Sequence, residues 1–140
     1  MRKIVRSLAL ALVAMCGQAA RAEVVVIVSA QSEVEKLSSR QVANIYMAKD
    51  ACFPNGALAL PMDMHTGTAL RKKFYRKVVH RNAQQLRSYW SRRMASGVGQ
   101  PPREVGGNVD MKKLIADNPN TIGYITRSAV DASVRVVNVP

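Results

Sequence analysis

Cysteine, histidine and acid are scarce in this chain: of 140 residues two are Cys, two His and nine Asp or Glu, against 21 Lys or Arg. The cysteines are Cys16 and Cys52, and the first lies in a segment expected to be removed, so no disulfide within the mature chain is possible. Stability has to come from packing. Cys52, beside Phe53, is expected to be buried and inert. The scattered carboxylates supply neither a paired general acid and base nor a metal cluster, and nothing links Cys52 to His65 as nucleophile and base. No enzyme, no metal and no cofactor is therefore expected. Long apolar runs are missing too: none approaches the roughly 20 residues of a membrane span, so the mature chain is expected to have no span.

What is present begins with a leader. Met1 to Arg6 is basic, Ser7 to Gly17 mostly apolar, and Ala20-Arg21-Ala22 has the small-x-small cleavage pattern. This predicts a secretory signal peptide over residues 1–22, cleaved after Ala22, and a periplasmic location. Met15 before Cys16 is too large for a lipoprotein signal. Removing 22 of the 140 residues leaves 118, which predicts one domain over 23–140. Four of the 21 bases and none of the nine acids fall in the leader, so the net charge drops from +12 to +8. Export argues against nucleic acid and points to anionic solutes, phosphorylated envelope polymers or an acidic partner protein.

Along the mature chain, the β-branched run Glu23 to Val28 predicts a strand buried on both faces. Ser38-Ser39-Arg40-Gln41 has capping-box spacing and leads into a helix carrying Val42, Ile45 and Tyr46. Ala57 to Met62 reads as a second strand, ending where Pro61 would disturb a ladder. Then Thr66-Gly67-Thr68 opens a helix running to about Val79, with Leu70, Phe74 and Val78 on one stripe and Lys72, Lys73, Arg76 and Lys77 opposite. Such a turn at a strand-to-helix junction is either a plain cap or an anion site, since a helix start offers free N–H groups and hydroxyls add donors. Arg71 falls on the inner side of this helix and needs a partner: a bound anion, a carboxylate such as Asp63, or a backbone carbonyl. Asn82 caps a third helix with Leu86, Tyr89, Trp90 and Met94 on one stripe. Gly97 to Gly107 reads as a long loop, Asn108 as the cap of a short helix with Met111, Leu114 and Ile115, and Ile122 to Ile125 and Val134 to Val139 as closing strands.

Val42 to Lys49, Phe53-Pro54-Asn55-Gly56, the Thr-Gly-Thr start with Arg71 and Phe74, Leu86 with Tyr89-Trp90, Ser96-Gly97 before Pro101-Pro102, and Ile122-Gly123-Tyr124-Ile125 together resemble one family in order and spacing. It is the short phosphate ABC transporter substrate-binding protein-like family. The resemblance runs from about Val24 to Val137 and implies an α/β fold of the periplasmic-binding-protein-like type II class, a mixed sheet flanked by helices, matching mainly one lobe of full-length members. It also implies a ligand site at Thr66, Gly67 and Thr68, and from its inner place on the helix Arg71 is expected to supply that site's charge. Met62 and Met64 stand where the family has an arginine and an aspartate, and the first-lobe phosphate loop has no counterpart.

Two functions follow as expectations. One is a periplasmic solute-binding-type protein that takes phosphate or a similar small oxyanion, possible work with an ABC permease included. The other is a non-transport interaction or sensory module that keeps the fold without the ligand and meets an envelope protein through its basic helix face or the 97–107 loop.

Overall fold

The computed structural model describes residues 22–140; the expected signal segment, apart from Ala22, lies outside the described residues. In chain order the elements are β1 (Val24–Ser29), α1 (Ser39–Tyr46), β2 (Leu60–Met64), α2 (Ala69–Phe74) continuing as a π-helical turn (Tyr75–Val79), α3 (Ala83–Ala95), β3 (Arg103–Val105), α4 (Asn108–Asp117), β4 (Thr121–Thr126), a 3₁₀ turn (Arg127–Ala129) and β5 (Val134–Asn138). The sheet order is β3-β2-β4-β1-β5. β2 runs parallel to β3 and β4, while β1 is antiparallel to β4 and β5. The result is one α/β domain with a mixed five-stranded sheet.

β1 is buried along its whole length, as a run apolar on both faces requires. The two faces are distinguished by neighbouring residues of β4, because side chains alternate along a strand. On one face, a Cβ at Gly123 would lie 2.6 Å from Met111 Sδ and 3.0 Å from Ile115, so α4 packs directly on the glycine backbone. On the other, the Tyr124 ring stacks on Phe74 of α2 with centroids 4.1 Å apart, and Tyr46 of α1 lies 4.6 Å from Phe74. Each such aromatic pair contributes about 0.5–1.5 kcal/mol beyond simple burial. Tyr46 also donates to the carbonyls of Met62 (2.7 Å) and Ile122 (3.2 Å), tying α1 to both β2 and β4.

The capping boxes at Ser38/Gln41 and Asn82/Gln85 form as the spacing predicts. Elsewhere the structure corrects the sequence reading. β2 starts at Leu60 and continues through Pro61 to Met64. Leu60 N–H already donates to Asn120, so the N–H that Pro61 lacks would point to the opposite side, where pairing with β3 begins only at Met62, opposite Arg103. Asn108 does not cap α4; Gly107 holds that position, and the Asn108 amide instead exchanges hydrogen bonds with Thr126. Cys52 is exposed, since the Cys52–Leu58 bridge turns its side chain outward while Phe53 enters the core. Met94 is 59% exposed, Lys73 is half-buried and donates to the Ala22 carbonyl, and the 97–107 segment contains β3.

Candidate functional site

The site is built where β2 ends. His65, Thr66, Gly67 and Thr68 turn the chain from the last strand residue, Met64, into α2. Gly67 sits at φ +94° with open space around a built Cβ, so the position demands glycine for its backbone angle and not for lack of room. The Thr68 hydroxyl donates back to the His65 carbonyl and makes no side-chain cap to α2. Thr66 and Thr68 thus take different roles: one closes the turn, the other faces outward.

Thr66 faces Glu104. Its hydroxyl donates to Glu104 Oε1 at 3.1 Å, and Arg71 Nη1 donates to the same oxygen at 2.9 Å. His65 Nδ1 lies 3.2 Å from the other oxygen, Oε2. These contacts, His65 foremost, then Thr66 and Arg71, hold the Glu104 carboxyl below its ordinary pKa against a modest burial penalty. The carboxylate is therefore a resident anion at the turn.

Arg71 has further partners. Nη1 donates to the Met64 carbonyl at 2.9 Å and stands 3.4 Å from Asp63 Oδ2, with the guanidinium 5.3 Å from the centre of the Tyr75 ring. Its side chain is only 17% exposed. Asp63 is enclosed: Tyr75 donates to Oδ2 at 2.5 Å, Tyr124 donates to Oδ1, and Met64 N–H donates to Oδ1 at 2.9 Å. Burial raises the Asp63 pKa, and the two tyrosines, Arg71 and the amide pull it back only in part. Burial, followed by the nearby Asp63 charge, keeps Tyr75 and Tyr124 protonated and therefore donating.

Of the four residues expected at the site, Thr66 and Arg71 meet on one oxygen, Gly67 shapes the turn between them, and Thr68 points back into the turn. Arg71 finds two of the partners expected for it, Asp63 and a carbonyl. Glu104 is the residue missed. Its position became accessible only through β3, whose three residues are too few for a periodic signal; once β3 pairs with β2, Glu104 stands in register with Asp63. Met62 and Met64 are buried in the core. Among the described residues no group of three His, Cys, Asp or Glu could hold a metal, and no helix is long and apolar enough to cross a membrane.

No family model matches the sequence, and no curated protein matches it. Solved structures do. A protein from Clostridium perfringens described as a phosphate ABC transporter substrate-binding protein, with bound phosphate, superposes at a TM-score of 0.66 and 23% identity over 83% of this chain and 44% of its own. The fold is that of phosphate-type substrate-binding proteins. An ABC-type phosphate transport receptor from Vibrio cholerae gives a TM-score of 0.66 at 17% identity, over 83% of this chain and 45% of its own. PstS from Borrelia burgdorferi gives 0.63 at 10%, over 83% and 46%. The chain spans less than half the length of each of these proteins, in extent one lobe of the substrate-binding fold.

Proposed function

We propose that this chain is a one-lobe, solute-binding-type protein whose Thr66-Gly67-Thr68 turn and Arg71 take a small oxyanion, phosphate first among them, in competition with its own Glu104. The observation that carries the reading is the convergence of Thr66 Oγ1 and Arg71 Nη1 on a single carboxylate oxygen. Donors that hold one anionic oxygen at 3.1 and 2.9 Å have the chemistry to hold another. Phosphate is favoured by the bound phosphate of the Clostridium perfringens protein, which shares the fold.

Glu104 sets the terms of binding. It is half-exposed on a three-residue edge strand and can be displaced, whereas Asp63 is locked among two tyrosines and an amide. An incoming oxyanion gains Thr66, Arg71 and the first-turn N–H groups of α2 but has to expel or approach a like charge. Binding is accordingly weak in the unaltered chain and strengthens when Glu104 is neutralised. Isothermal calorimetry with phosphate and sulfate on the unaltered chain, Glu104→Ala and Arg71→Ala tests this.

The second reading, an interaction module without a ligand, rests on the same Arg71. Its Nη1 is already engaged by Glu104 and the Met64 carbonyl, and a partner protein then uses the cationic surface beside the turn. Exported location belongs to either reading as an expectation from the leader, and work with a permease to the first alone.

A further inference from the structure

A groove of about 1100 Å³ runs between the Ala69–Val79 helical segment and α3. Its apolar lining comes from Leu86, Trp90 and Met94, spaced by four residues on α3 and so aligned along one side of the helix. Leu86 and Trp90 are largely covered by the domain, but Met94 is 59% exposed. Besides Arg71, the basic lining is Lys72, Arg76, Arg81 and Arg87. Among the described residues none of these four forms an ion pair with a carboxylate, although Arg81 lies over the Tyr89 ring at 5.0 Å. The acid in the lining is Glu104, which is already engaged by Arg71.

We propose that this groove docks an acidic, amphipathic polypeptide segment, with apolar side chains on the Leu86–Trp90–Met94 stripe and carboxylates against Arg76, Arg81 and Arg87. Charge complementarity selects this occupant. A second copy of the chain would bring the same excess of bases over acids to a groove that already repels cations. The leader carries Arg2, Lys3, Arg6 and Arg21 and no acid, and is disfavoured for the same reason. A polyanion or an anionic lipid surface would satisfy the cations, but only a polypeptide offers apolar groups at a spacing that matches a helical stripe. This inference goes beyond the oxyanion reading, whose Thr66, Gly67, Arg71 and Glu104 line the same groove, and it rests on the second, interaction reading.

Trp90 is the single tryptophan of the chain and lines the groove, so its fluorescence reports occupancy directly. The full chain is titrated with a helical peptide of Glu and Leu in which the leucines form one stripe, with a scrambled peptide of equal composition, with a lysine counterpart and with phosphatidylglycerol vesicles. The patterned acidic peptide is expected to bind saturably and to weaken as salt is raised. Met94→Asp and Arg87→Glu, both at exposed positions, are expected to lower its affinity by about fivefold or more without changing the melting temperature. The lysine peptide is expected to bind only the double variant Arg76→Glu/Arg87→Glu. Equal binding of the scrambled peptide, vesicle binding that outcompetes the peptide, or no binding of the patterned peptide at millimolar concentration would each overturn the proposal. Thr66→Ala is expected to weaken phosphate and spare the peptide, so the two readings fail separately.

Discussion

Asp63 and Glu104 are register partners on the parallel strands β2 and β3, and their carboxylates lie 3.4 and 2.9 Å from one nitrogen, Arg71 Nη1. The two acids are unequal. Asp63 is 2% exposed and bonded on every side, whereas Glu104 is 42% exposed and held by side chains that a ligand could share. The first gives Arg71 a buried counter-charge, and the second accepts a hydrogen bond from it at the more exposed side.

The buried acid bears on stability. Asp63→Ala leaves two buried tyrosine hydroxyls without their acceptor and Arg71 without its buried counter-charge, and is expected to cost about 3–5 kcal/mol in urea unfolding. Asp63→Asn, which keeps one acceptor oxygen, is expected to cost distinctly less. A loss below about 1 kcal/mol for the alanine variant would mean the cluster is not formed as described.

The same two acids give opposite pH dependences. The Asp63 pKa is raised in the folded state, so its contribution is full below the ordinary 3.8 and declines as pH rises through the raised value. The Glu104 pKa is lowered, so its contribution is present above the ordinary 4.5 and disappears as pH falls through the folded value. Glu104→Gln should therefore flatten the acid side of the stability profile by only a few tenths of a kcal/mol, its carboxylate being substantially exposed. Asp63→Asn should remove the decline that begins above 3.8. Urea unfolding from about pH 3 to pH 7 measures both.

Gly123 tests the other face of the sheet. An added Cβ would stand 2.6 Å from Met111 Sδ and 3.0 Å from Ile115, both fully buried. Gly123→Ala is expected to destabilise by about 1–3 kcal/mol through overpacking, read as a lowered denaturant midpoint. An unchanged midpoint would place α4 farther from β4.

Cys52 supplies a quick chemical check. Its exposed thiol is expected to react with a maleimide or an aromatic disulfide in the native state, without denaturant. Reaction only on unfolding would return Cys52 to the core.

Much of this architecture is legible in the residues. The buried run at Val24 and the two capping boxes carry their own local physics, and they form where the spacing places them. The inward angle of Arg71 follows from helix periodicity alone, and Asp63 is among the partners this angle allows. What stays hidden depends on tertiary pairing. Pro61 is tolerated because its neighbouring strand starts one residue later, and Cys52 is exposed because a bridge to Leu58 sets its direction. Glu104 lies 33 residues from Arg71 and joins it only when a three-residue strand closes the sheet edge. No local pattern reports that contact.

Calorimetry with phosphate on the unaltered chain beside Glu104→Ala tests most directly the proposal that Glu104 occupies an oxyanion site. Removing a like charge a few ångströms from the bound anion at an exposed site is worth roughly 1 kcal/mol, so the variant is expected to bind about fivefold more tightly than the unaltered chain. Adding Arg71→Ala to it should take away about 1.5–3 kcal/mol of charge-assisted binding. No heat from Glu104→Ala at millimolar phosphate, or binding that Arg71→Ala leaves unchanged, would contradict the account.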